Sequence, residues 1–147
     1  MTELIVMTEE HIPAVAEIEK LCFSSPWSEN SLGMLTRDGG RAFVVTVDGQ
    51  VVAYGGMLTV LDEGQVTNIA THPSFRRRGF ARAVTEALIS CGRTEGLESI
   101  YLEVRRSNLS AISLYESCGY RAIGERKNFY SDPVEDAILM KITLVEE

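Results

Sequence analysis

The stretch VTNIATHPSFRRRGFAR, Val66–Arg82, decides how the rest of the chain is arranged. Its first part predicts a strand that stops at His72-Pro73, and Gly79 predicts the start of a helix. Backbone N–H groups at a helix N-terminus lack intrahelical partners, and the helix dipole adds partial positive charge there. A glycine lets the backbone approach an anion closely. Mobile positive charge would come from four arginines: Arg76, Arg77, Arg78 and Arg82. This order favours a polyphosphate site over a solvated basic loop.

Length and composition are those of one globular domain, residues 1–147. The chain is 45% hydrophobic and 24% charged, which suffices for a core. It has no run of eighteen apolar residues, so we expect no transmembrane helix and no membrane partner. The N-terminus shows no signal-peptide pattern, and an odd number of widely spaced cysteines favours reduced thiols. These features predict a cytoplasmic protein.

The formal net charge of −7 argues against a nucleic-acid-binding protein, which would be basic overall. The arginine cluster is therefore a local exception in an acidic chain. Such a chain suits a compact phosphate ligand at one point and a basic polypeptide elsewhere. No clustered His and Cys ligands indicate a metal site.

The first half of the chain predicts a short strand, a helix, a second short helix and an antiparallel meander. Asp48-Gly49 is a hairpin signal between strands Arg41–Val47 and Val51–Val60. Gly55-Gly56 predicts a bulge or a close backbone approach. In the first helix an apolar stripe should face the core, and four glutamates should face water: Glu9, Glu10, Glu17 and Glu19.

The second half predicts helix Phe80–Thr94, strand Leu97–Val104, a helix ending near Cys118, and two final strands. Strand, helix and strand in succession imply a right-handed parallel crossover. If the two parallel strands splay after a bulge, a cleft opens between them. The predicted fold is α/β: a mixed, mostly antiparallel sheet of about seven strands with a splayed parallel pair and about four helices.

Four other positions could carry chemistry, and each has an ordinary structural interpretation. Glu103 is either a paired surface residue or a cleft carboxylate suited to general-base work. Tyr115 is either a packed aromatic or a general acid, and Asn108 is first a helix cap. Trp27 either closes an edge of the core or lines a substrate entrance.

Arg76-Arg77-Arg78-Gly79-Phe80-Ala81 resembles the acetyl-CoA signature of the GNAT N-acetyltransferases, in which Ala81 is a permitted replacement for glycine. The order of the elements from Leu4 to Leu144 also resembles the GNAT fold. Within that superfamily the chain is similar to the bacterial ribosomal-protein-alanine N-acetyltransferases. The matching segments include Pro26-Trp27-Ser28, Asn68-Ile69-Ala70, Leu102-Glu103-Val104-Arg105, Ser107-Asn108, Leu114-Tyr115-Glu116 and Glu135-Asp136-Ala137. Phe129 departs from the tyrosine expected before Tyr130.

The resemblance implies acetyl-CoA as co-substrate and assigns a role to each matching residue. The pantetheine arm and thioester would meet backbone groups of Ile69, Ala70 and Thr71, and Asn108 would hydrogen-bond the pantetheine region. The pyrophosphate would be wrapped by Arg77, Arg78, Gly79, Phe80, Ala81 and Arg82. Glu103 would be the general base, acting through water, and Tyr115 the general acid that protonates the leaving thiolate.

The resemblance also implies an acceptor: the N-terminal alanine of a basic ribosomal protein, number eighteen of the small subunit. Trp27 and Tyr130 would grip its first residues. From charge alone, candidate contacts for a basic tail are five acidic loop residues: Asp62, Glu63, Asp132, Glu135 and Asp136. Two alternatives remain open. One is a GNAT enzyme that acetylates lysine side chains or small amines, and the other is a CoA-binding regulatory module without turnover.

Overall fold

The computed structural model describes residues 1–145, in which seven strands form one open sheet with four helices on its two faces. The strands are β1 Thr2–Val6, β2 Gly40–Val47, β3 Gln50–Val60, β4 Glu63–Thr71, β5 Ser99–Arg105, β6 Arg121–Tyr130 and β7 Glu135–Thr143. The helices are α1 Ile12–Cys22, α2 Glu29–Leu32, α3 Phe80–Thr94 and α4 Leu109–Ser117. The predicted α/β class and its numbers of strands and helices are confirmed.

The strand order is β1-β2-β3-β4-β5-β7-β6, and β4–β5 is the one parallel pair in the described residues. These two strands pair from Glu63 opposite Ser99 only as far as Gln65 opposite Tyr101. Just beyond that point the register between β3 and β4 shifts, which leaves Thr67 as an extra, bulged residue. The predicted splayed pair is therefore confirmed, and a gap opens between the C-terminal halves of β4 and β5.

The two adjacent glycines of β3 lie where other elements approach the sheet closely. A Cβ on Gly55 would lie 2.2 Å from Cγ1 of Val84, so only glycine lets α3 pack at this depth. A Cβ on Gly56 would lie 2.7 Å from Cδ1 of Leu35 on the opposite face. The predicted close approach is confirmed on both faces of the strand.

Two apolar clusters cover the two faces of the sheet. The larger lies under α3 and α4 and includes Val84, Leu88, Ile100, Leu102 and Tyr115. The smaller lies under α1 and α2 and includes Val15, Ile18, Leu32 and Tyr54. Burial of such side chains stabilises the fold by about 1.5 to 3 kcal/mol each. The alternation in β5 therefore sends Ile100, Leu102 and Val104 toward α3 and α4, and Glu103 to the other face.

The prediction that Glu19 faces water is wrong. Glu19 follows buried Val15 and Ala16 by four and three residues, which places it on the core face of α1, and its side chain is fully buried. Its carboxylate accepts hydrogen bonds from the Trp27 backbone N–H at 2.8 Å, from Asn68 Nδ2 at 3.0 Å and from the Tyr54 hydroxyl. These three donors compensate for burial, which nevertheless raises the pKa of Glu19.

Within residues 1–145, every helix falls short of the length and apolar character needed to cross a membrane.

Candidate active site

A cleft of about 670 Å³ lies where β4 ends, between the arginine-rich loop, the start of α3 and the face of α4. Its volume is in the range of small-molecule and cofactor sites. Its lining includes nine residues predicted to contact acetyl-CoA: Ile69, Ala70, Thr71, Arg77, Gly79, Phe80, Ala81, Arg82 and Asn108. The tenth, Arg78, does not line the cleft; its guanidinium carbon lies 5.0 Å from the centroid of the Phe75 ring.

Further lining residues come from α1, the loop after β4 and α4: Cys22, Phe23, Phe75, Arg76, Ser110, Ala111 and Leu114. Arg76 belongs to the arginine cluster that the sequence indicated. The apolar residues of this set carried no sequence signal, because apolar side chains at helical spacing predict a core rather than a cleft wall.

Helix α3 begins without a side-chain cap. Gly79 occupies the cap position at φ +82°, and Arg77 is also left-handed at φ +65°. In contrast, Ser28 Oγ accepts from Ser31 N–H at 3.1 Å to cap α2. The first-turn N–H groups of α3 therefore have neither a helical nor a side-chain acceptor within the described residues, and they belong to residues that line the cleft. Such a helix start suits a phosphate group.

Two arginines at the cleft make hydrogen bonds of different lengths. Arg82 donates from Nη2 to Ser117 Oγ at 2.7 Å and thereby ties α3 to the end of α4. Arg76 donates from Nε to the Thr71 carbonyl at 3.4 Å. Positive charge thus flanks the uncapped helix start, and Arg82 is the more firmly held of the two arginines.

Asn108 is both the cap of α4 and a wall of the cleft. Its Oδ1 accepts from the Ala111 N–H at 3.3 Å, as the sequence predicts for a cap. Among residues 1–145 no protein acceptor meets its Nδ2, which leaves that group free to donate to a ligand.

Tyr115 reaches the cleft from α4 with a ring that is 8% exposed and packs edge-on to Tyr120 at 5.9 Å. Its hydroxyl makes no hydrogen bond to the described residues. Burial, followed by the nearby hydroxyl of Tyr130 and the Cys118 thiol, raises the pKa of Tyr115 to about 12. The phenol is therefore protonated at neutral pH and can donate a proton to an anion that forms beside it.

Glu103 lies on the opposite face of β5 and does not line the cleft. Its side chain is 15% exposed and has two partners. Gln65 Nε2 on β4 donates to Oε1 at 2.8 Å, and Arg126 Nε on β6 lies 3.1 Å from Oε2. Glu103 is thus paired, and its role as a general base stays a prediction. The Gln65 contact lies where the β4–β5 pairing ends, so the carboxylate stands at the edge of the gap between the strands.

Tyr130, the last residue of β6, interacts electrostatically with both of these candidates. Burial and then the charge of Glu103 raise the pKa of Tyr130 to about 12. Tyr130 in turn raises the pKa of Tyr115. The Arg105 guanidinium stacks on its ring, with Cζ 4.4 Å from the centroid. Arg105 and Glu103 alternate onto the same face of β5, so the Tyr130 ring lies on the Glu103 side of the sheet.

Trp27 is half-buried against the smaller apolar cluster, so it closes the edge of that core as its structural interpretation predicted. Its backbone N–H is held by Glu19 at 2.8 Å. It does not line the cleft. Its role in gripping a peptide stays a prediction.

The five acidic loop residues are not brought together. Asp62 and Glu63 lie at the start of β4, about 20 Å or more from its cleft end by strand rise. Glu135 is paired with Arg105 at 3.2 Å, and Asp136 with Lys127 at 3.2 Å. The structure therefore gives no support to a joint acidic docking site. Net charge alone indicates neither the distance between these residues nor the ion pairs that two of them form.

In residues 1–145, no group of three or more His, Cys, Asp or Glu side chains is placed to hold a metal ion. The arrangement that is present consists of a cleft with an uncapped helix start, a protonated tyrosine on one side of a strand gap, and a paired carboxylate on the other side.

Residues 12–120 match the family described as acetyltransferase (GNAT) family. The chain is 37% identical over 135 residues to [ribosomal protein bS18]-alanine N-acetyltransferase of Escherichia coli (strain K12), which covers 90% of this chain and 91% of that protein. It is 34% identical over 142 residues to the putative enzyme of the same name from Bacillus subtilis (strain 168), with 95% and 94% covered.

Solved structures with a similar fold include two that match nearly the whole chain. The crystal structure of the ribosomal-protein-S18-alanine N-acetyltransferase from Escherichia coli superimposes with a TM-score of 0.92 at 34% identity, over 100% of this chain and 96% of that one. Ard1 from Thermoplasma volcanium superimposes with a TM-score of 0.88 at 26% identity, over 99% of each chain.

Proposed function

Since the chain belongs to the GNAT family of acetyltransferases, we propose that it transfers the acetyl group of acetyl-CoA to the N-terminal α-amine of a protein. The proposed acceptor is the N-terminal alanine of ribosomal protein bS18, the substrate named for the similar enzymes. Acting on a ribosomal protein would place the reaction in the cytoplasm. In this proposal residues 1–147 act as one acetyltransferase domain.

The observation that carries the proposal is the placement of Tyr115 and Glu103 on the two sides of the β4–β5 gap. In this proposal acetyl-CoA occupies the cleft on the Tyr115 side. Its pyrophosphate lies at the uncapped start of α3 between Arg77 and Arg82, and its pantetheine arm runs along β4 beside Asn108. The acceptor amine approaches from the Glu103 side, so donor and acceptor meet in the gap.

The chemistry then needs one base and one acid. Glu103 accepts a proton from the α-ammonium through a water molecule, and the neutral amine attacks the thioester carbonyl. The C–S bond breaks, and Tyr115 donates its proton to the departing thiolate. The nitrogen gives up its remaining extra proton and Tyr115 is reprotonated, so the net products are the acetylated amine, CoA thiol and one proton. This direct attack requires no covalent enzyme intermediate.

Two short peptides test the acceptor. One begins with a free alanine followed by basic residues, and the other carries the same basic residues and a lysine behind a blocked N-terminus. Each peptide is incubated with acetyl-CoA and enzyme, and the product masses are measured by mass spectrometry. The proposal predicts one added acetyl group on the free alanine and none on the blocked peptide. Transfer to lysine would overturn the proposal that the acceptor is an N-terminal alanine. No transfer to either peptide would favour a CoA-binding regulatory module without turnover.

A further inference from the structure

Arg105, the last residue of β5, makes four contacts with the segment that joins β6 to β7. Nη1 donates to the Pro133 carbonyl at 3.0 Å and to Glu135 Oε1 at 3.2 Å. Nη2 donates to the Ser131 carbonyl at 3.3 Å, and the guanidinium stacks on the Tyr130 ring. One planar side chain therefore holds both backbone ends of the turn and the aromatic ring that precedes it.

Glu135 extends this anchor to α4. Its Oε2 accepts from the Ser107 N–H at 2.7 Å, directly before the Asn108 cap. The Arg105–Glu135 pair is largely buried, with side chains 27% and 19% exposed. A desolvated, multiply bonded pair fixes geometry better than an exposed ion pair does. The turn is therefore locked to the strand end and the helix start that carry Glu103 and Asn108.

The outer side of the same turn is tied to the loop after α1. Ser24 Oγ donates to the Asp132 carbonyl at 2.7 Å. Two residues from other parts of the chain therefore hold the segment from Tyr130 to Glu135. Arg105 bonds it from the end of β5, and Ser24 bonds it from the loop after α1. It forms a fixed wall on the Glu103 side of the strand gap.

We propose that Arg105 is a positioning residue for the acceptor: it holds Tyr130 and the β6–β7 turn as one wall of the site that receives the peptide's N-terminus. This inference rests on the proposed function, because it takes the Glu103 side of the gap as the acceptor side. Arg105 itself touches no reacting atom, so its loss should weaken peptide binding and leave acetyl-CoA binding intact.

Arg106 provides a matched control from the next position in the chain. It also pairs with a glutamate, Glu125, at 2.6 Å, but its side chain is 58% exposed and, among the described residues, makes no hydrogen bond to residues 131–135. Arg106→Lys and Arg105→Lys therefore make the same chemical change. Lysine keeps the charge and loses the planar fork that bonds two carbonyls and stacks on Tyr130.

The experiment measures KM for an alanine-starting peptide and for acetyl-CoA in wild type, Arg105→Lys and Arg106→Lys. We expect Arg105→Lys to raise peptide KM by about fivefold or more, with acetyl-CoA KM within about twofold. Arg106→Lys should leave both constants within about twofold. Ser24→Ala, which releases the turn from the other side, should raise peptide KM in the same direction. An unchanged peptide KM in Arg105→Lys, or an equal rise in both constants, overturns the inference.

A second measurement separates this inference from the proposed function. If the wild type acetylates no alanine peptide, the proposed function has failed, and the anchor is judged by amide hydrogen exchange. Faster exchange in residues 131–136 of Arg105→Lys than of Arg106→Lys keeps Arg105 as the anchor of the turn. Equal exchange rates in the two variants would show that Arg105 does not anchor the turn.

Discussion

Tyr115 and Glu103 lie on opposite faces of the sheet, at the gap between the ends of β4 and β5. The acid and the base of the proposed reaction are thus separated by the strands rather than gathered in one pocket. This separation suits a reaction in which two substrates enter from two sides and exchange one small group. It also lets each substrate site be tested independently.

Tyr115→Phe should lower kcat by about 100-fold, the usual contribution of a general acid, with little change in acetyl-CoA KM. Because its pKa is raised to about 12, the hydroxyl remains the acid form below that pH. Wild-type kcat should therefore show no alkaline loss from this group up to about pH 10. Tyr120→Phe removes a neighbouring buried hydroxyl and is the control, with kcat within about twofold. The test is to measure kcat by steady-state kinetics across this pH range. Equal losses of kcat in both variants would show that Tyr115 is not the general acid.

The two adjacent arginines before Gly79 should differ in their effect on acetyl-CoA. Arg77 lines the cleft, whereas Arg78 stacks on Phe75. Since Arg77 is left-handed, asparagine, which tolerates that conformation, is the matched replacement at both sites. Arg77→Asn should raise acetyl-CoA KM by about tenfold, consistent with loss of one charge-assisted contact, and Arg78→Asn should raise it less. The reverse order, measured by titration of acetyl-CoA, would contradict this placement of the pyrophosphate.

Glu19 should make stability depend on pH. Because burial raises its pKa above 4.5, the folded state holds a proton that the unfolded state releases. The stabilisation is complete below about 4.5 and is lost as pH rises through the folded-state pKa. Glu19→Gln should flatten this dependence, whereas Glu19→Ala should cost about 3 kcal/mol or more by leaving three donors unpaired. Urea unfolding from pH 4 to 8 measures the free energy of unfolding of each variant. If this free energy changed with pH in the same way in wild type and Glu19→Gln, Glu19 would not be the source of the pH dependence.

Gly55→Ala should destabilise the fold by about 1 to 3 kcal/mol, because the new methyl would meet Val84 on α3. Gly124 in β6 is the control, since a Cβ there has no neighbour within 4 Å among the described residues. Gly124→Ala should change the free energy of unfolding by no more than about 0.5 kcal/mol. The urea midpoints of the two variants give the comparison. Equal midpoints would mean that α3 does not pack on Gly55 at this depth.

Much of the fold followed from local patterns in the sequence. The proline stop, the arginines and Gly79 predicted the β4–α3 junction, and Gly55-Gly56 predicted the close packing on β3, because backbone conformation and anion chemistry are short-range properties. Glu19 was missed because a charged residue in a helix is normally solvated, and its three donors come from distant segments.

The surroundings of the catalytic candidates were harder to predict. The charged partner of Glu103, Arg126, comes from β6, and the pairing of β6 with β7 has two shifts of register. Strand β6 is exposed along nearly its whole length, so no hydrophobic alternation in its sequence sets that register. The role of Arg105 in holding the β6–β7 turn was invisible for the same reason, since it depends on contacts 26 to 30 residues away.

In the proposed reaction Glu103 removes the proton from the acceptor amine, and one comparison of variants isolates this step. The kcat/KM for an alanine-starting peptide is measured in wild type, Glu103→Gln and Glu125→Gln. Both glutamates pair with an arginine, but only Glu103 stands at the strand gap. We expect a loss of about 100-fold or more in Glu103→Gln, with acetyl-CoA binding unchanged, and less than about twofold in Glu125→Gln. Wild-type activity in a correctly folded Glu103→Gln variant would exclude Glu103 as the base.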